Sequence, residues 1–254
     1  MNDIAGNLTS RPADGVKAEA SDADAGFYLK MVLVSAAIIF VGFSPSFYLK
    51  SVIHAPPPLT QLTITHGLVF TAWTLLFIAQ VSLISRKQTA VHRQLGMLGA
   101  ILYGAVVSLG VSTAITAARL GHAPPGAPAP LAFMALSLFI IVAALALVVL
   151  ALWNRRRRDW HMRLMLTSLF MMTGPGLGRI LIPLGLAAQE VAIGFLVTEL
   201  LLAAAMLHDY RRYKRVHRAY WIAAGIFVAT HMCVMWAFGS PVAWMAFAHA
   251  ITQT

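Results

Sequence analysis

Two ionisable side chains of opposite charge lie deep inside long apolar segments. Arg179 lies in MMTGPGLGRILIPLG, and Glu199 lies in the next apolar segment, FLVTELLLAAAM. Counted along ideal helices, Arg179 lies about 12 Å and Glu199 about 15 Å below the same membrane surface. A charge at that depth is unfavourable by several kcal/mol unless it is paired or hydrated. Because a short loop joins the two segments, we expect Arg179 and Glu199 to form an ion pair inside the bundle.

Other polar side chains are predicted to reach the same level. His66 and His231 lie about 9–10 Å below that surface by the same count. Trp73 follows His66 by seven residues and so shares its helix face. Glycines around Pro175 interrupt the helix that carries Arg179, and broken helices at membrane depth usually line a protein or water-filled cavity. We therefore expect a polar ligand or cofactor site in the outer half of the bundle, formed by His66, Trp73, Arg179, Glu199 and His231.

The chemistry of such a site has several interpretations. Two histidines could ligate the iron of haem b or bond a quinone carbonyl for electron transfer, and Arg179 could pair with a propionate. A transporter or sensor of a small anionic or amphipathic solute is the alternative. Copper bound by His231 and Met235, with Cys233, Met171 and Met172 as further soft ligands, is a weaker hypothesis, since methionine is common core filler. A purely structural pair that fixes helix register also stays open. The sequence assigns no catalytic residue, because it shows no hydrolase, zinc-protease or nucleotide motif.

Composition defines the elements that must position these residues. Of the 254 residues, 59% are hydrophobic and only 11% are charged, whereas soluble domains carry about 25% charged residues. We predict an all-α, multi-pass membrane bundle over residues 27–238, preceded by a disordered polar tail (1–26) and followed by a short amphipathic segment on the outer surface (239–254). The seven predicted transmembrane helices, here called spans 1 to 7, cover residues 27–49, 60–85, 94–118, 130–153, 162–187, 190–209 and 219–238.

The loops predict an orientation. Basic residues cluster between spans 2 and 3, 4 and 5, and 6 and 7, whereas the other connections are almost free of charge. The positive-inside rule then places the N-terminus in the cytoplasm and the C-terminus outside. It also explains the net charge of +10 through contact with the lipid bilayer rather than with nucleic acid.

Two repeating patterns accompany the spans. Each basic loop ends in a histidine next to a span, and these histidines (His92, His161 and His217) suggest three related hairpins. They are interpreted as interfacial anchors or as convergent metal ligands. In span 3, small residues recur every fourth position from Gly96 to Thr116 and form a ridge suited to close helix contact, including contact in a homo-oligomer.

Three segments resemble a family of small bacterial inner-membrane proteins without an established activity. They are HGLVFTAWTLLFIAQVSLISRKQTAVHRQLG, WHMRLMLTSLFMMTGPGLGRI and FLVTELLLAAAMLHDYRRYKRVHRAYW, which together cover spans 2 to 7. The family pattern is matched at His66, Trp73, His92, Arg93, His161, Arg163, Arg179 and Glu199. The resemblance implies the same seven-helix fold, and Glu199 departs from it because aspartate is expected at that position.

Overall fold

The computed structural model of the chain describes residues 12–53 and 58–253. The described residues form helices and connecting turns without any strand, so the fold is all-α. Seven of the helical segments are long and apolar enough to cross a membrane, which confirms the predicted seven-helix bundle.

The helices are bounded as follows. They are α1 (Pro12–Phe43), α2 (Lys50–Ile53), α3 (Gln61–Ser85), α4 (Thr89–Arg119), α5 (Pro130–Trp153), α6 (Arg158–Met171), α7 (Gly174–Leu181), α8 (Glu190–Tyr213), α9 (Arg218–Phe238) and α10 (Val242–Thr252). A π-helix (Ser44–Tyr48) continues α1, and short 3₁₀ turns (Ile182–Leu184 and Ala187–Gln189) connect α7 to α8. Spans 1 to 7 correspond to α1 with its π-helix, α3, α4, α5, α6 with α7, α8, and α9.

The two ends of the bundle differ in charge. The connections α3–α4, α5–α6 and α8–α9 carry the clusters of arginine and lysine, and we call this end the basic end. The opposite end carries the α4–α5 and α7–α8 connections and is called the distal end. The most apolar helix, α5, packs against α4, α6, α9 and α10, and five of its alanines are buried in these contacts.

Both ends of the bundle continue beyond the predicted spans. Residues 12–26, within the predicted tail, belong to the first part of α1, and residues 1–11 lie outside the described residues. Asp24, near the end of this part, is buried and bonds His208 at 3.1 Å and the Tyr213 hydroxyl. At the other end, α10 falls within the predicted 239–254 segment and docks on α5, where Trp244 Nε1 donates to the Leu131 carbonyl at 3.0 Å.

Span 5 is interrupted where the glycine–proline cluster predicted a break. Helix α6 ends at Met171 and α7 begins at Gly174, and Pro175 lies in the first turn of α7. Because proline lacks an amide hydrogen, it is tolerated in a first turn but not in a helix interior. At the break, the Phe170 carbonyl accepts from the Thr173 amide at 3.1 Å and from the Thr173 hydroxyl at 2.7 Å.

The glycines near the break serve close helix packing. A Cβ atom on Gly42 of α1 would lie 2.0 Å from the Gly176 carbonyl oxygen of α7, and a Cβ on Gly176 would lie 3.0 Å from the Ile38 carbonyl oxygen. The backbones of α1 and α7 thus touch directly, as small residues allow in membrane bundles. These two glycines therefore support a close helix contact, and not the polar cavity that the sequence predicts beside this break.

We predict that Gly42→Ala destabilises the protein by about 1–3 kcal/mol, because the added methyl group forces α1 and α7 apart. Gly104→Ala in α4 is the matched control, since no described atom of another residue lies within 4 Å of the added methyl group. Alanine is favoured over glycine in a helix interior by about 0.8–1 kcal/mol, so the control should be neutral or slightly stabilising. Thermal unfolding in detergent measures both, and equal melting temperatures for the two variants would contradict the contact.

Candidate binding cavity at the distal end

An imidazole–carboxylate pair joins α8 and α9 in the distal half. His231 Nδ1 lies 2.9 Å from Glu199 Oε1, and the Phe195 ring stacks on the imidazole at a centroid distance of 3.7 Å. Because an ionised carboxylate only accepts hydrogen bonds, it selects the tautomer with the proton on Nδ1. The Nε2 atom of a neutral His231 is then an acceptor.

This pair lines a cavity of about 550 Å³, here called the distal cavity. That volume lies within the roughly 300–1,000 Å³ typical of small-molecule sites. The walls are largely apolar, with Phe195, Phe238 and Met235 among them, and the polar side chains of the described lining are those of Glu190, Glu199 and His231. The full lining is Gly126, Ala127, Pro128, Ala187, Ala188, Glu190, Val191, Ala192, Phe195, Leu196, Glu199, His231, Met235 and Phe238.

Several lining residues of the distal cavity are exposed on the surface of the bundle. The side chain of Glu199 is 48% exposed although it lies nine residues, about 14 Å, along α8 from Glu190. Leu196 and Met235 beside it are more than half exposed. A half-exposed carboxylate at this depth is unfavourable in lipid, so its retention points to a ligand or function.

Glu190 completes the acidic lining and was missed in the sequence. Its relative exposure is only 7%, and its Oε1 atom has no hydrogen-bond partner among the described residues. The Oε2 atom faces α7, where a Cβ on Gly178 would lie 3.0 Å away. Buried polar atoms in native proteins are usually satisfied, and the negative charge of this carboxylate interacts with the positive charge of Arg179.

The predicted Arg179–Glu199 pair is wrong. Within the described ranges no ion pair joins them, and Glu199 is bonded to His231 instead. Arg179 is exposed, donates to Ser46 Oγ at 3.2 Å and to the Pro175 carbonyl at 3.0 Å, and lies 4.2 Å from the centre of the Phe43 ring. The break at Pro175 turns the last part of span 5 toward α1 and its π-helix, so Arg179 is not among the lining residues of the distal cavity, although its charge interacts with that of Glu190.

Two further predicted site residues also lie elsewhere. Trp73 is 3% exposed and packs against Phe77 and Tyr103 in the core. His66 faces α4, where its Cε1 atom would lie 3.6 Å from a Cβ on Gly110. Only Glu199 and His231 of the five predicted residues line the distal cavity.

This placement bears on the metal hypotheses. Haem held jointly by His66 and His231 is not favoured, since His231 is the single histidine in the described cavity lining. For copper, Met235 shares that lining, whereas Met171 and Met172 are buried core residues and Cys233 is exposed.

The three histidines of the basic end separate into two environments. His92 and His161 approach each other with ring centres 6.3 Å apart. His217 instead bonds Asp159 through Nε2 at 2.9 Å, and its Nδ1 atom accepts from the amide of Ala219, capping α9. Two of the three therefore converge.

The basic end also holds a buried ion pair. Arg163 and Asp209 are 4% and 1% exposed, and Arg163 donates through Nη2 at 2.6 Å and through Nε at 3.0 Å to the two carboxylate oxygens. The backbone amide of His217 adds a third hydrogen bond to Asp209 at 3.0 Å. The guanidinium also lies 5.7 Å from the centre of the Tyr220 ring, whose hydroxyl bonds that of Tyr28 at 3.0 Å.

A spatial signal for this pair was present in the sequence. The predicted span 5 begins at residue 162, so Arg163 lies in its first turn, and the predicted span 6 ends at Asp209. An arginine in the first turns of one span and an aspartate in the last turns of the next lie at the same membrane level. The signal for Glu190 was weaker, since a glutamate at a helix start is ordinary.

Comparison with known proteins provides no relative for the chain. No family model, curated protein or solved structure matches it.

We predict that Glu199 is energetically coupled to His231 and not to Arg179. In double-mutant cycles of alanine substitutions, the Glu199/His231 pair should show about 0.2–1 kcal/mol of coupling, as is usual for partly exposed ion pairs. The Glu199/Arg179 pair should be additive within about 0.5 kcal/mol, because the two side chains share no partner. Thermal unfolding in detergent provides the free energies, and a coupled Arg179 with an uncoupled His231 would contradict the structure.

We predict that Asp209→Ala and Arg163→Ala each destabilise the protein by about 3–5 kcal/mol, because each leaves an unpaired buried charge or vacant hydrogen bonds. The double variant should lose less than the sum of the single losses, since it buries no lone charge. Arg156→Ala, in the exposed α5–α6 connection, is the control and should be close to wild type. Additive losses in a denaturation series would argue against a coupled pair.

Proposed function

We propose that the distal cavity binds a lipid-soluble aromatic alcohol of the quinol class, with His231 as the acceptor of its hydroxyl proton. The observation that supports this most directly is the His231–Glu199 pair, which fixes the imidazole and leaves Nε2 as an acceptor on a residue that lines the cavity. A quinol hydroxyl is a donor and matches this acceptor. Glu199 would stabilise the imidazolium formed if the proton moves to His231.

The walls of the cavity suit a flat apolar ring. Phe195 and Phe238 lie among the lining residues, and aromatic rings pack favourably in offset or edge-on contact. The lateral exposure of Leu196 and Met235 gives a path from the bilayer, which is where such ligands dissolve. In our proposal the basic end faces the cytoplasm of a bacterium and the cavity opens to the outer leaflet, because the arginine-rich loops follow the positive-inside rule. The resemblance to small bacterial inner-membrane proteins is part of the same proposal.

A second candidate is recognition or transport of a cationic amphipathic solute. The observation in its favour is the presence of two carboxylates, Glu190 and Glu199, in the lining, which attract a ligand cation. Two carboxylates in the lining disfavour the anionic solute that the sequence suggested, since Arg179 lies outside the cavity.

The two candidates can be separated by binding measurements on protein in nanodiscs. We predict that a short-chain ubiquinol analogue binds the wild type and binds His231→Ala at least 10-fold more weakly, a difference of about 1.4 kcal/mol. His122→Ala, in the exposed connection between α4 and α5, is the matched control and should bind as the wild type does.

The same assay with a lipophilic phosphonium cation tests the alternative. Tight binding of the cation that is lost in Glu190→Gln, without quinol binding, would favour the cationic solute and overturn the first proposal. A Soret absorption band that disappears in His231→Ala would instead show haem in the cavity. Absence of binding by both ligands to a well-folded wild type would refute a ligand site of either kind.

A further inference from the structure

A second group of polar side chains lies at the basic end, which is the opposite end of the bundle from the distal cavity. His92 in the first turn of α4 faces His161 in the first turn of α6, with ring centres 6.3 Å apart and ring planes at 79°. Gln80, near the end of α3, lies beside α4 one turn above His92, where its Nε2 atom would be 3.6 Å from a Cβ on Gly96.

Each of these three side chains has a ligand atom to offer. His92 Nδ1 and Gln80 Oε1 are shielded from solvent and have no hydrogen-bond partner in the part of the chain that the structure describes. His161 Nδ1 bonds the Ala151 carbonyl at 3.0 Å. Since a carbonyl only accepts, that bond places the proton on Nδ1 and leaves Nε2 as a lone-pair donor. A backbone carbonyl on the far nitrogen is also the usual support of metal-bound histidines.

The spacing of the rings fits one ion. A metal ion about 2.0–2.1 Å from each ligating nitrogen lies about 3.2 Å from each ring centre, so two rings that share an ion have centres about 5–6.4 Å apart. The observed separation of 6.3 Å lies at the wide end of that range, so the two nitrogens would stand on nearly opposite sides of the ion. Imidazole nitrogens in such an arrangement, with an amide oxygen, form a ligand set suited to copper rather than to tetrahedral zinc, magnesium or calcium.

We propose that His92, His161 and Gln80 form a binding site for a single copper ion. The site does not rest on the quinol proposal, because it shares no residue with the distal cavity. His217 does not contribute, since both of its ring nitrogens are already bonded to Asp159 and Ala219.

The surrounding charge sets how the site should respond to salt. Arg93 is exposed next to His92, and the basic loops repel a cation approaching the site. Exposed charges are screened over about 8–10 Å at 0.10–0.15 M ionic strength. The affinity for the ion should therefore rise when a non-coordinating salt is added.

The test uses the full chain purified in detergent through a tag without histidine, stripped of metal and titrated with Cu²⁺. We expect one equivalent of tightly bound copper per chain, with an electron paramagnetic resonance spectrum that shows two imidazole nitrogens. His92→Ala and His161→Ala should each weaken binding at least 10-fold and remove one nitrogen from the spectrum. His217→Ala, at the same end, and exposed His122→Ala should keep both the affinity and the spectrum.

Two additional variants keep the outcome interpretable. His161→Gln retains a side-chain amide that can donate to the Ala151 carbonyl, and so separates loss of the ligand from loss of the fold, which thermal unfolding monitors. His231→Ala removes the imidazole that lines the distal cavity, which is another possible copper ligand. Unchanged copper binding in both His92→Ala and His161→Gln, or binding that is lost only in His231→Ala, would overturn the proposal.

Discussion

The buried Arg163–Asp209 pair is the constraint on which the basic end depends. A guanidinium and a carboxylate removed from water are unfavourable alone, so each must find the other and fill its remaining hydrogen bonds. Here the carboxylate takes two bonds from Arg163 and one from the amide of His217. The pair thereby fixes α6, α8 and the start of α9 to each other. Arg163 also donates to the Asp159 carbonyl, which ties the pair to the first turn of its own helix.

The same constraint explains why the functional candidates lie where they do. Around the ion pair, Tyr28 bonds Tyr220, and Asp24 bonds His208 and Tyr213, so α1 joins the fixed end. Side-chain networks of this kind rigidify a structure when every member is satisfied. The oxygen of Glu190 and the ring nitrogen of His92 lack such partners among the described residues. These atoms belong to the two proposed ligand sites.

The sequence predicted the helices well because a membrane span depends on length and apolarity, which are local properties. It predicted the depth of Glu199 and His231 for the same reason, and the structure brings these two together. It could not predict the partner of Arg179, because depth does not define the direction in which a side chain points. The break at Pro175 and the close contact of Gly42 with Gly176 turn α7 toward α1, and this contact depends on two helices far apart in sequence. Asp209 was missed since a charge near a span end is usually a loop charge.

Two histidines at opposite ends of the bundle show how surroundings determine the chemistry of one side chain. In each, Nδ1 is held by an acceptor, the Glu199 carboxylate for His231 and the Ala151 carbonyl for His161. Each neutral ring therefore presents Nε2 as a lone pair. A carboxylate behind the ring stabilises a positive imidazolium, so His231 is suited to take a proton from a ligand hydroxyl. A neutral carbonyl provides no such charge, and the neighbouring imidazole of His92 supplies a second lone pair. The same ring is therefore suited to proton transfer at the distal end and to metal ligation at the basic end.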